Sequence, residues 1–238
     1  MRSLCAVLPK KRGAGLAAQV KSKQRVADHG EVFTNPREVN AMLDMVKQET
    51  ERIESRFLEP ACGNGNFLAE VLRRKLAVVA SSYRKSPHEY MRYAFVAVTS
   101  IYGVDILQDN VQECRERLFG IVAETTLGDI KDKTDLQFLE AVRFVLQKNL
   151  LCGDALTLKD AEGDPIRFAE WSIVTGDKVK RRDYLLSELL EGSDLQQSLF
   201  GGRNEAVEWE FDEETQTYLP SAIEEFPPVN WWEVQRYE

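Results

Sequence analysis

The sequence predicts an α/β fold built on a parallel sheet that is covered on both faces. Three short apolar segments, at residues 56–60, 100–106 and 149–154, are separated by longer stretches whose apolar residues recur at helical spacing. Strands that alternate with helices in this way form parallel sheets. Each segment also carries an acid at its end: Glu59, Asp105 and Asp154. With 238 residues and 43% hydrophobic content, the chain suits one globular domain with a small addition, and wholesale disorder is excluded.

In order along the chain, residues 13–27 read as a short helix through Leu16, Val20 and Val26. A loop covers 28–36, and Pro36 opens the next helix with Thr34 or Asn35 as its cap. That helix carries Val39, Met42, Leu43 and Val46 on one face and runs to about Glu54. The first strand closes at Pro60 and enters a glycine turn, Ala61-Cys62-Gly63-Asn64-Gly65-Asn66. Phe67, Leu68, Val71, Leu72 and Leu76 then mark a helix. A further helix spans 87–99, and others follow each of the next two turns, from Gln108 to about Val122 and from Leu136 to Gln147. Past Asp154 the pattern weakens. Residues 166–174 suit a strand and 184–190 a turn or two of helix. The alternation of Val207, Trp209 and Phe211 suits a hairpin that returns at Tyr218-Leu219. Three regions result: a basic arm at 1–27, the α/β domain at 28–192, and an acidic, tryptophan-rich appendage at 193–238.

The formal net charge of −8 is unevenly distributed. Residues 1–25 carry seven Lys or Arg and no acid, whereas residues 205–238 carry ten acids and one base, Arg236. Such an arm suits nucleic-acid phosphates, while the overall charge opposes indiscriminate DNA coating. No apolar run approaches the ~20 residues that span a bilayer. Cys5, Cys62, Cys114 and Cys152 are widely spaced and His29 and His88 are the only histidines, so neither a disulfide framework nor a zinc site is expected. A reducing cytoplasmic setting follows.

The strand ends carry the chemistry. Glu59 precedes glycines that let the backbone approach a ligand, Asp105 is placed to accept both hydroxyls of a ribose, and Asp154 suits an adenine amine. Ligands of open α/β sheets sit beyond the carboxyl ends of the strands, so the three together suggest an adenosine pocket. A dinucleotide fingerprint needs a third glycine where Leu68 stands, and a phosphate-binding P-loop needs the Lys-Ser/Thr that Asn66-Phe67 replaces. An acid at the first strand instead fits a ligand with an amino group and a sulfonium.

Over residues 24–156 the chain resembles the S-adenosylmethionine-dependent DNA methyltransferases that act on the exocyclic amine of adenine. Gly30-Glu31-Val32-Phe33-Thr34 is similar to their leading motif, and residues 57–68 to their glycine motif. Tyr102-Gly103-Val104-Asp105-Ile106 is similar to the ribose-binding strand end, and Gly153-Asp154-Ala155-Leu156 to the adenine-binding one. The resemblance implies a Rossmann-like class I methyltransferase fold, here with a shortened sheet. It implies S-adenosyl-L-methionine as cofactor, no metal, and DNA as partner. It assigns cofactor binding to Phe33, Thr34, Glu59, Pro60, Ala61, Cys62, Gly63, Gly65, Asp105, Ile106, Asp154 and Ala155.

The family's polar-Pro-Pro-aromatic motif at the fourth strand is missing. Residues 172–177 resemble that strand and make Asp177 the catalytic candidate, although Lys178-Val179-Lys180 replaces the prolines and aromatic. Phe226-Pro227-Pro228-Val229 has the prolines without the polar and aromatic partners. Lys178, Lys180, Arg181 and Arg182 are the candidate phosphate contacts. Two functions stay open: a DNA adenine methyltransferase of a restriction-modification system, with a second subunit supplying target recognition, or an inactive module that binds cofactor or DNA as an accessory subunit.

Overall fold

The computed structural model describes residues 21–126, 133–194, 209–212 and 217–237. The basic arm through residue 20 therefore lies outside the described residues, as does most of the segment between 195 and 216. Helix α1 (Lys23–His29) is followed by α2 (Pro36–Met45) and the single turn α3 (Lys47–Thr50). The expected cap at Asn35 forms: its side chain accepts from the Arg37 N–H, and Glu38 reaches back to the Asn35 N–H.

The central sheet is parallel, as the alternation of elements requires. Strand β1 (Phe57–Glu59) leads through the glycine turn into α4 (Asn66–Tyr83) and α5 (Pro87–Thr99). Strand β2 (Ile101–Asp105) is followed by α6 (Gln108–Thr126) and α7 (Lys133–Asn149), which deliver β3 (Leu150–Asp154). Leu58 lies opposite Tyr102, and Gly103 opposite Leu150, in the order β1-β2-β3. The short β4 (Lys159–Asp160) adds to β3 antiparallel. This is a mixed α/β architecture.

The two faces of the sheet are covered differently. Ile101 and Leu150 pack into the large core with α4, α5, α6 and α7, whose fully buried residues include Leu72, Phe95 and Phe138. Gly103 belongs to this face, where a Cβ would meet Leu68 of α4 at 2.9 Å; its absence lets the helix settle on the strand. Tyr102 and Val104 point the other way, against a hairpin of β5 (Arg167–Ile173) and β6 (Lys178–Leu185). Tyr102 donates its hydroxyl to the Ala169 carbonyl at 2.9 Å and meets Phe168 edge to face.

Two sequence expectations are corrected here. Residues 172–174 do not form a fourth parallel strand. Ser172 and Ile173 end β5, which pairs antiparallel with β6, and among the described residues no strand pairs with the outer edge of β1. Nor is the carboxyl-terminal region an appendage throughout. After α8 (Leu186–Asp194) and the expected hairpin β7 (Trp209–Asp212) and β8 (Thr217–Pro220), strands β9 (Glu224–Glu225) and β10 (Val229–Asn230) both pair with β6. The 3-10 helix Trp231–Tyr237 then buries Trp231, Val234 and Tyr237 in the main core, with Trp231 between Phe95 and Phe138. Hydrophobic side chains in the acidic tail overrode the tail's charge as a guide to its place. No helix of the described residues is long and apolar enough to cross a membrane.

Candidate functional site

A cleft of about 540 Å³ opens at the carboxyl ends of β1, β2 and β3. Its walls bring together all four segments that the sequence singled out: residues 30–34, the turn after β1, and the ends of β2 and β3. The glycine turn forms because the backbone there needs positive φ, +52° at Gly63 and +81° at Gly65. At Gly65 a Cβ would also lie 2.5 Å from the Cys114 Sγ, so the turn rests directly on α6. The Asn66 side chain donates to the Thr34 carbonyl at 3.0 Å and accepts from Arg117 at 2.6 Å, tying the leading motif, α4 and α6 together.

Asp105 is tightly held and only 9% exposed. Its Oδ2 accepts the Gly63 N–H at 2.8 Å, and its Oδ1 accepts the Leu107 N–H at 2.9 Å and Asn110 Nδ2 at 3.2 Å. The carboxylate is thus held from below on both oxygens, beside the cleft it lines. Asp154 accepts the Leu156 N–H at 2.8 Å. Burial pushes the Glu59 carboxyl above its ordinary range, opposed in part by a backbone hydrogen bond from Ala61. Ile106 and Leu156, 58% and 95% exposed, stand as apolar rims beside the second and third acids. Cys62 is an inert packing group: its hydrogen bond to Cys114 and its burial push the thiol far above the range in which a thiolate forms.

The lining contains four carboxylates, Glu31, Glu59, Asp105 and Asp154, and no Lys, Arg or His. A wall of this sign repels phosphates and favours a ligand with positive charge. No protein-family model, no curated protein and no solved structure matches this chain. The site is therefore read from its own geometry. Among the described residues no cluster of His, Cys, Asp and Glu is arranged to hold a metal ion.

Every residue assigned to cofactor binding except Gly65 lines this cleft, and Gly65 is the buried pivot beneath it. The catalytic and nucleic-acid candidates lie elsewhere. Along β5, Ala169 meets the middle of the sheet at Tyr102. Trp171 then donates to Asn149, at the amino-terminal entry of β3. Asp177, in the turn beyond, lies at the end of the sheet opposite the cleft. There its backbone carbonyl accepts the Trp231 N–H at 2.9 Å, its carboxylate accepts the indole N–H at 3.3 Å, and His88 lies 3.4 Å away.

The basic run forms a strand rather than a loop, so its side chains diverge to two faces. Lys180 pairs with Glu225 at 2.7 Å, the buried Arg181 clamps Asp183 and stacks on Phe226, and Arg182 lies 3.7 Å from Glu170. These three charges are held by the protein's own carboxylates. Lys178 stays exposed. Pro227 gives its carbonyl to the Tyr237 hydroxyl, which fixes the tail rather than a ligand.

Sequence reasoning assigned no role to Asn110, offered Arg25 only as part of the basic arm, and Glu31 only as part of a motif. Asn110 lies five residues past Asp105, in the first turn of the helix that follows, which is the signal that points it back to that acid.

Proposed function

We propose that this chain is the cofactor-binding module of an S-adenosyl-L-methionine-dependent methyltransferase of the DNA-adenine type, built on a Rossmann-like fold. One observation carries the proposal: four separate motifs converge on one cleft whose walls hold four carboxylates and no basic group. In this assignment Asp105 accepts the two ribose hydroxyls on lone pairs left free by its backbone donors. Asp154 faces the adenine edge, and Ile106 and Leu156 cover the ring faces. Glu59 and the segment Phe33-Thr34 hold the amino-acid end, next to the amino-terminal turn of α4, whose N–H groups favour a carboxylate.

The cofactor supplies an electrophilic methyl on a sulfonium, and the chain contributes orientation for in-line attack by the amine. Neither Asp177 nor the Pro227-Pro228 pair reaches the cleft, so the group that receives the target amine comes from outside these residues. That same observation favours a second reading, an accessory module that binds cofactor without transferring its methyl group.

Calorimetric titration of the full chain with S-adenosyl-L-methionine, beside NAD⁺ and ATP, tests the assignment. Binding of the sulfonium ligand alone is expected. Preference for either phosphate-bearing ligand overturns it. Transfer of a labelled methyl group to adenine in DNA then separates the enzyme from the accessory module.

A further inference from the structure

The cleft's acids are organised by a hydrogen-bonded relay that starts in α1, and this inference rests on the cofactor assignment above. Glu31 and Asp105 are both cleft carboxylates, and a single side-chain amide lies between them. Asn110, 1% exposed, donates Nδ2 to Glu31 Oε1 at 2.7 Å and to Asp105 Oδ1 at 3.2 Å. Its Oδ1 faces two cations, Lys21 Nζ at 2.7 Å and Arg25 Nη2 at 3.1 Å. That placement fixes the orientation of the amide: the oxygen belongs with the cations and the nitrogen with the acids.

Arg25 is itself anchored on both sides. It forks onto Glu31 through Nε at 2.6 Å and Nη2 at 2.7 Å, and reaches Asp109 through Nη1 at 2.7 Å. Planar two-point pairing of this kind sets direction as well as energy. The hydrogen bonds from Arg25 hold Glu31 below the usual carboxylate range and Asp109 down to about 2. Glu31 stays ionised, and Asn110 donates between it and Asp105.

We propose that Asn110 is a positioning residue for ribose recognition. Its amide, aimed by Lys21 and Arg25, holds the Asp105 carboxylate in the rotamer that presents one oxygen to each hydroxyl. Three donors fix that rotamer, and the other two are backbone N–H groups of the turns themselves. Asn110 is the donor that a side-chain change removes. Docking of α1 on α6 and discrimination at the ribose are consequently coupled.

The test compares S-adenosyl-L-homocysteine with its 2′-deoxy counterpart by calorimetry, in the full chain and in Asn110→Leu. The unaltered protein is expected to prefer the ribose form about tenfold, the weight of one hydrogen bond to a charged group. In Asn110→Leu that preference falls to about twofold or less, and affinity for the 2′-deoxy ligand, which keeps only the 3′-hydroxyl, falls by the smaller factor. Arg25→Gln, which leaves the interior intact, shifts the preference in the same direction by a smaller factor and serves if Asn110→Leu does not fold. Equal weakening of both ligands would mark Asn110 as merely structural and overturn the proposal. So would an unchanged preference, or a lack of 2′-hydroxyl discrimination in the unaltered protein. If the folded, unaltered chain binds neither ligand, the cofactor assignment itself falls, and this inference with it.

Discussion

The two ends of the parallel sheet carry the same kinds of polar side chain and use them in opposite ways. At the amino-terminal end Lys75, Asn149 and Asp177 are each closed on the protein. The Lys75 ammonium is fully buried and donates to the carbonyls of Ile53 and Ser55 and to the Ser100 hydroxyl. Asn149 bridges Thr99, Ile101 and Trp171, and Asp177 fastens Trp231. At the carboxyl end, Asp105 and Asp154 accept N–H groups from their own loops and still line an open cleft. An acid at a turn or strand end is thus uninformative by itself. What separates Asp105 from Asp177 is place: Asp105 lines the open cleft at the strand ends, whereas Asp177 packs against Trp231, His88 and Arg92 at the far end.

Breaking the open end has the largest expected effect. On the proposed assignment Asp105→Ala removes two charge-assisted hydrogen bonds to ligand, each worth about 1.5–3 kcal/mol, and is expected to lower S-adenosyl-L-methionine affinity at least about 100-fold by calorimetry. A fall of less than fivefold would mean that Asp105 is as closed as Asp177.

The closed end is sharpened by pH. Burial lowers the Lys75 pKa to about 7 from its ordinary 10.5. Between those values the unfolded chain binds the extra proton, so stability rises as pH increases from about 7 towards 10.5, by about 2–4 kcal/mol. Below about 7 both states are protonated and this contribution is flat. Urea unfolding across that range should show the slope, and Lys75→Met should lose it.

Gly65→Ala combines a positive φ with a Cβ against Cys114. It is expected to cost about 2 kcal/mol of stability, read from the lowered denaturant midpoint, and to deform the turn beneath the cleft. Smallest of all, Asp177→Ala lowers stability by about 1 kcal/mol through the lost Trp231 bond and leaves cofactor affinity within about twofold. A tenfold loss of affinity there would erase the contrast between the two ends.

The parallel core and the walls of the cleft were legible in the sequence because they depend on local signals. Gly63 and Gly65 are required by backbone conformation, and the acids at 59, 105 and 154 follow from where strands stop. What stayed hidden depends on distant pairing. Residues 172–177 have the composition of a strand ending in a turn, and nothing local tells a parallel partner from the antiparallel β6. The run Lys178 to Arg182 reads as a cationic patch until Glu225, Asp183 and Glu170 arrive from other segments. Asn110 has an ordinary helical neighbourhood, and the orientation of its amide is set by Lys21, Arg25 and Glu31 far before it in the chain.

The burial of Trp231 between Phe95 and Phe138 sets an order of events during synthesis. Every residue of the cleft precedes residue 157, so the walls emerge from the ribosome long before the side chain that seals the core beneath them. Without the Trp231 side chain, the helices that support the cleft would enclose an indole-sized vacancy lined by the Phe95 and Phe138 rings.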